Sequence, residues 1–553
     1  MNSEKYLQQA EKNYNHEICM LGSVWNGPGY HSRIPDGTWA HSTRESINYA
    51  IILLESGSRE NSERALKIIA AIIGLQDRNP YRQTFGIWSW LYEEPLDRMA
   101  PPDWNWADFI GAALAHILKF HRQTMPEGLA GETATALANA AWAIFRRNVQ
   151  PNYTNIAIMG AAVASTAGEM LAIPILQEYG RERLKRFLEY TREQGGLNEY
   201  NSPTYTFIAL YEAERILQLV QEPLTRQYTE ELRCLIWESI AAHFHPGTGQ
   251  LAGPHSRAYH NHLAKNVATY LQETTGIKIY SHSDTGDDTE TPDYIKHLPC
   301  PEHLRSRFLA LPGEEIFLQE KFISKQPERK SFYGATWMVD NCCLGSCNYE
   351  CFWTQRRPVL AYWKTSDDTA MVMRLRFLKD GKDFASAGLF NAQDRNRLLT
   401  GIKMFTDRGD FHIHLDRPTD NIFKASSMLL CYELRGRNAV AEQIDATRFV
   451  LRAGERQAVI HTIPGDFNGT PVVWRIVNEP DYARVEAVCH EGKQKDFNIN
   501  AEFEVRLCAG LELLTRDESI STGSPVWSIN GQTAEAKWLN LKLDYTVNSE
   551  KYD

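Results

Sequence analysis

The chain has 553 residues, 43% apolar and 23% charged, which fits a soluble globular protein of two large or three ordinary domains and excludes disordered, collagenous and membrane classes. Its 59 basic and 69 acidic residues leave a net charge of −10, so neither nucleic acid nor an anionic membrane is expected as the partner of the whole surface. The 14 Trp, 24 Tyr and 22 Phe are a supply that suits sugar-stacking clefts as well as cores.

Residues 1–21 are polar, with a heptad-like spacing of Tyr6, Ala10, Tyr14 and Ile18. No basic segment leads into an apolar run there, so neither a signal peptide nor a membrane anchor is expected, and a cytoplasmic location is. The ten Cys, at 19, 234, 300, 342, 343, 347, 351, 431, 489 and 508, lack the regular short spacings of a disulfide scaffold and read as free thiols of a reducing compartment.

Apolar residues recur at helical spacing in 47–54, 65–73, 106–118, 136–145, 156–171, 205–219, 232–242 and 263–271. The stretch 276–303 is polar, acidic and proline-marked, and reads as a linker. Beyond it the segments 334–339, 359–363, 371–377, 411–415, 449–451, 472–476 and 503–507 are short and β-branched or aromatic, separated by turns such as Lys379-Asp380-Gly381-Lys382. The expected organisation is therefore multidomain α then β: helices over 1–275, a linker over 276–303, and an antiparallel, sandwich-like β domain over 304–553.

Helix starts carry a repeat. Ser42 with Glu45 forms a capping box, Asp103 precedes an i, i+3, i+4 stripe from Trp106, Asn152 or Thr154 caps the next helix, Ser202-Pro203 opens another, and Ser256 is read as the cap of the last. These starts recur every fifty to sixty residues or so, with one further helix in each gap, which predicts helical hairpins closing into an α/α toroid or stacking as a solenoid. In a toroid the loops that lead into the inner helices share one rim, and here those loops concentrate the chemistry. They hold Trp39 and His41; Asp103, Trp104, Asn105 and Asp108; Tyr153 and Asn155; Glu199, Tyr200, Asn201 and Tyr205; and His255, Arg257, Tyr259 and His260. Helix N-termini favour anions, so such a rim suits a carboxylate.

The densest run is 195–205. Asn201 is placed to neutralise a uronate carboxylate and Tyr205 to exchange protons with the sugar; the alternative is that Asn201 and Ser202 cap and Tyr205 packs. His255, Arg257 and Tyr259 supply an imidazole, a guanidinium and a phenol within five positions, a set able to move a proton beside an anion, against the alternative of a solvated helix start. Trp104 is the better sugar platform of the Trp88, Trp90, Trp104 and Trp106 group, while Trp106 sits on a core stripe. Cys342, Cys343, Cys347 and Cys351 match no zinc spacing and lie in strand-like sequence, so no metal and no cofactor is expected. His412 and His414 form an i, i+2 pair that reads as structural. Gln355-Arg356-Arg357 is a basic patch that either reaches the rim to hold an acid or is an ordinary salt-bridged surface. Phosphate-loop, nucleophile-elbow and HExxH patterns are absent.

A helical-hairpin toroid followed by an antiparallel β domain of similar size resembles the heparinase II/III-like and alginate-lyase toroid superfamily of polysaccharide lyases. The resemblance implies cleavage of uronic-acid glycosides by β-elimination, with an Asn, Gln, His or Arg neutralising the carboxylate and a Tyr or His handling protons. The matching types are Tyr205, His255 and Tyr259 as catalytic candidates, with His41, Trp104, Asn105, Glu199, Asn201 and Arg257 as substrate-binding candidates, acting on an acidic oligosaccharide or polysaccharide. Two alternatives stand beside it. One is a toroid glycoside hydrolase, glucuronidase-like, pairing Glu199 with Asp103 or Asp108; the other is a non-catalytic saccharide-binding protein.

Overall fold

A computed structural model describes residues 3–27, 31–279, 294–410 and 421–552 of the chain. The expected strand over 411–415, with His412 and His414, lies outside the described residues, as does most of the acidic stretch before residue 294. The helices are α1 (Ser3–Glu11), α2 (Thr43–Glu55), α3 (Arg59–Gly74), α4 (Trp106–Phe120), α5 (Glu127–Arg147), α6 (Thr154–Met170), α7 (Pro174–Gln194), α8 (Tyr205–Leu219), α9 (Pro223–His243) and α10 (Lys265–Thr275), and antiparallel strands fill the chain after them. No helix among the described residues is long and apolar enough to cross a membrane.

Two compact units divide the chain, and they do not follow its order. The first takes Met1–Arg192, Phe207–Ile236 and Asp287–Leu298; the second takes Glu193–Thr206, Trp237–Gly286 and Pro299–Asp553. Within the first unit consecutive helices pair as hairpins, α2 with α3 and α4 with α5, while α4 also packs on α2 and α6, and α3 on α5. The sequence explains the two layers. α4 and α6 are apolar or small nearly all round and are buried almost throughout, whereas α3, α5 and α7 bury only one stripe and present the other face to solvent.

Helix caps follow the sequence in part. The Ser42 side chain accepts from the Glu45 N–H at 3.2 Å, one half of the expected box, while the Ser42 N–H goes to the Leu21 carbonyl at 3.2 Å. Asp103 lies outside its helix: its carboxylate accepts from the Asn105 N–H at 2.9 Å and the Trp90 indole at 3.1 Å, and the N-cap position falls to Asn105. Ser256 caps nothing, because its hydroxyl donates to the Tyr200 carbonyl and the last helix starts at Lys265.

In the second unit the larger sheet runs, in spatial order, Val473–Glu479, Tyr482–Asn498, Ile422–Arg435, Met371–Lys379, Val359–Trp363, Cys342–Cys347, Phe332–Val339 and Glu315–Ile323. The facing sheet runs Val440–Gln443, Arg448–Ala453, Arg456–Thr462, Cys508–Thr515, Arg397–Met404, Ala387–Asp394 and Tyr349–Cys351. One core joins them: Trp337, Leu344, Met373 and Leu430 from the first sheet pack with Leu398, Ile402, Ile460 and Leu511 from the second. This is the antiparallel sandwich that the alternating segments predict. Alternation also disposes of the cysteine cluster, since Cys342 faces the sandwich core and Cys343 the opposite side of its sheet.

Candidate functional site

The second unit gathers four of the expected site residues into one cluster. α7 ends into Gly195, whose φ of +92° turns the chain into the run that carries Glu199, Tyr200 and Asn201. Ser202 then accepts from the Tyr205 N–H at 2.8 Å, fixing Tyr205 as the first residue of α8, and its hydroxyl donates to the Arg257 carbonyl at 2.7 Å. That bond ties the 199–205 segment to the 253–260 loop, and the Ser256 N–H to the Tyr200 carbonyl at 3.1 Å repeats the tie. The loop is held on its other side by residues 355–357. His255 and Arg357 exchange backbone hydrogen bonds at 3.1 and 2.9 Å, and the Ala258 N–H donates to the Gln355 carbonyl at 2.7 Å. Gly253 and Gly345 permit the close approach beneath, because a Cβ on Gly345 would sit 2.2 Å from the Gly253 Cα.

On this frame the Tyr205 and Tyr259 hydroxyls are 2.7 Å apart. Arg257 donates from Nη2 to the Tyr205 hydroxyl at 3.1 Å, from Nη1 to Glu199 at 3.5 Å and from Nε to the Gln355 side chain at 3.0 Å. Its guanidinium also lies over the Tyr205 ring, 4.7 Å from the centroid, and over Trp353 at 5.3 Å. Tyr259 is 49% exposed, so one phenol of the pair opens to solvent while the other is largely covered. Burial pushes the Tyr205 hydroxyl well above the usual phenol value, and the Arg257 charge opposes that rise. The cluster can therefore hold a proton on Tyr205, pass one between two phenols, and meet negative charge with Arg257.

Asn201 and His255 stand behind this cluster. Asn201 adopts a left-handed φ of +46°, and its amide N–H groups go to the Ala252 and Pro254 carbonyls at 2.7 and 3.2 Å. It thus fixes the backbone that leads into the His255 loop. His255 is buried, and burial together with neighbouring Arg357 pushes its imidazole down to about 3, so it is neutral at physiological pH. Deeper still, the Tyr200 hydroxyl lies 2.9 Å from both His243 Nε2 and Glu320, with Tyr200 and His243 buried and Glu320 partly exposed, and the three support the same segment.

The remaining candidates belong to the first unit. His41 ends the strand Thr38–His41 and bonds Glu93 through both its backbone N–H and its ring. The Trp104 indole donates to the Gln83 carbonyl at 3.1 Å. Asn105 donates to the Tyr153 hydroxyl at 3.2 Å and accepts from Arg147 at 2.6 Å. Asp108 is fully buried on α4, and burial raises its carboxyl to about 7 although Arg183 and Arg147 pull it down.

Residues 355–357 resolve into three different roles. Gln355 joins the Arg257 cluster, Arg356 pairs with Glu350 and Asp410, and Arg357 is a buried support of the His255 backbone. Trp353, beside Arg257, had no sequence signal, for it is one aromatic in a strand-rich stretch.

The chain is similar to several solved structures. The structure titled "Crystal Structure of Heparinase III" is 10% identical with a TM-score of 0.43, covering 92% of this chain and 82% of that one. A heparinase III with methylated lysines is 10% identical with a TM-score of 0.40, over 91% of this chain and 83% of that one. A heparan sulfate lyase HepC mutant from Pedobacter heparinus is 9% identical with a TM-score of 0.37, over 99% of this chain and 94% of that one. No curated protein matches the sequence. Residues 14–296, just over half of the chain, match the family described as Domain of unknown function (DUF8769), and the chain belongs to that family.

Proposed function

We propose that this protein is a carbohydrate-active lyase that cleaves a uronic-acid-containing oligosaccharide or polysaccharide by β-elimination. The observation that carries the reading is the Tyr205–Tyr259 hydroxyl pair at 2.7 Å with the Arg257 guanidinium donating to it. The C5 proton of a uronate is weakly acidic. It leaves only if charge gathering on the carboxylate is met by positioned donors, a base receives the proton, and an acid protonates the departing oxygen.

In this reading Arg257 faces the carboxylate and also makes a phenolate beside it tolerable. Tyr259, the exposed phenol, takes the C5 proton as its phenolate; the C5–H electrons form the C4=C5 bond as the C4–O bond breaks. Tyr205, held protonated by burial, gives its proton to the leaving oxygen, and the 2.7 Å hydrogen bond returns a proton from Tyr259 to Tyr205. The phenol pair is thereby restored with no water consumed. Asn201 and His255 act as positioning residues for the loop that carries Arg257 and Tyr259.

The carboxylates of the hydrolase alternative have other employment. Asp108 is buried inside the helical unit, Asp103 is buried and accepts from the Trp90 indole and the Asn105 N–H, and Glu199 is paired with Arg257. The test is incubation of the full chain with a panel of uronate-containing oligosaccharides, reading ultraviolet absorbance and reducing ends in the same tubes. Both rising together supports elimination; reducing ends without absorbance overturn it in favour of hydrolysis, and binding without either signal overturns it in favour of a saccharide-binding protein.

A further inference from the structure

At the C-terminal ends of α2 and α4, three metal-ligating side chains of the first unit converge. Trp106, the first residue of α4, donates to Thr43, the first of α2, at 2.9 Å, so the two helices start side by side. They also finish side by side: Glu55 is the last residue of α2, His116 lies in the last turns of α4, and His121 is its C-cap. Glu55 Oε1 is 3.3 Å from His116 Nε2 and 2.9 Å from His121 Nε2, and the three ligand atoms all lie within 4.8 Å of one another.

We infer that Glu55, His116 and His121 form a binding site for one divalent transition cation of the zinc type. Two imidazoles and a carboxylate are a donor set for such an ion, and tetrahedral bonds of about 2.0–2.2 Å place ligand atoms roughly 3.3 Å apart, close to the spacings present. Hard cations such as calcium and magnesium prefer all-oxygen shells and are disfavoured here. The His116 and His121 side chains are 4% and 13% exposed while Glu55 is 46% exposed, which leaves a water an approach for the fourth position. Two helix C-termini add the negative ends of their dipoles. Arg215 on α8 is engaged by both oxygens of Glu212 at 3.0 and 3.2 Å, and Tyr294 sets its ring edge-on to His116 at 4.8 Å. The ion would clasp the ends of two hairpins, a structural role.

The competing account is a carboxylate that merely accepts from two imidazole N–H groups. Tag-free full-length protein, stripped with chelator, is dialysed against zinc, and bound metal is counted beside the His116→Asn/His121→Asn double variant. The site predicts one equivalent more zinc in the wild type, a higher Tm with zinc in the wild type alone, and the intense visible absorption of a tetrahedral centre when cobalt replaces zinc. Glu55→Gln, at a half-exposed position, keeps the test available if the double variant does not fold, and is expected to weaken zinc binding at least tenfold. Equal zinc in wild type and variants, or a response to magnesium or calcium as large as to zinc, overturns the proposal.

Discussion

Replacing Tyr205 by Phe removes a single oxygen that holds two contacts, the Tyr259 hydroxyl at 2.7 Å and Arg257 Nη2 at 3.1 Å. Arg257 keeps Glu199 and Gln355, so its charge stays compensated and the expected loss in unfolding free energy is about 1–2 kcal/mol, that of one or two hydrogen bonds in a partly covered site. The catalytic loss is larger. A positioned proton donor is worth about 10²–10⁴ in rate, or roughly 3–5 kcal/mol of barrier at 1.36 kcal/mol per decade. Tyr259→Phe leaves the Arg257–Tyr205 bond in place and breaks the same relay from its other end. Because the proposed relay makes the two phenols a unit, the double variant is expected to be no slower than the worse single variant. kcat follows from ultraviolet absorbance, with urea unfolding as the check on folding. Both single variants folded and within threefold of wild type, or losses that multiply in the double variant, would refute the relay.

The buried carboxyl of Asp108 gives a signed pH dependence. Its value in the fold, about 7, lies above the ordinary 3.8, so the stability it lends is complete at acid pH and is lost as pH rises through the folded value. Asp108→Asn should therefore gain on the wild type in urea unfolding between about pH 5 and about pH 8, and a pH-independent gap would contradict this. Gly345→Ala drives a methyl against the Gly253 backbone and is expected to cost about 1–3 kcal/mol. Activity should fall with it, whereas Gly128→Ala, with nothing within 4 Å of the new Cβ, should be neutral or slightly stabilising. Burial pushes Cys342, Cys351, Cys431, Cys489 and Cys508 up to about 12, so a disulfide thiol reagent should react quickly with native Cys19 and Cys234 and reach the rest only in denaturant. Rapid titration of more than these two would sink that expectation.

Periodicity carried the elements: the stretch 205–219 is α8 to the residue, and 359–363 is the strand Val359–Trp363. Where local signals failed, tertiary contacts had outbid them. Ser256 has the look of a helix cap, yet its hydroxyl and N–H both go to the Tyr200 carbonyl, and the chain beside it is strapped to Gln355 and Arg357. Asp103 likewise spends its carboxylate on the Trp90 indole. Tyr205, Arg257, Tyr259 and Glu199 were legible because several reactive side-chain types crowd two short loops, a density that capping alone does not require. Trp353 was not, and Gln355 stood out only as part of a basic patch with no sign of its pairing to Arg257, since almost a hundred residues separate them from Arg257 and no periodic signal links a loop of the helical half to one among strands. A separation of 61 and 66 residues likewise hides Glu55 from His116 and His121, which meet only because α2 and α4 end together.

The central claim is that the glycosidic bond breaks by elimination, and the most direct measurement is the mass of the products formed in heavy-oxygen water. Elimination adds no water, so the two product masses sum to that of the substrate, one product carries the double bond, and neither carries label at early times beyond the slow exchange of a free anomeric oxygen measured on the products alone. Products that together weigh one water more than the substrate, with heavy oxygen at the new hydroxyl, would contradict the account.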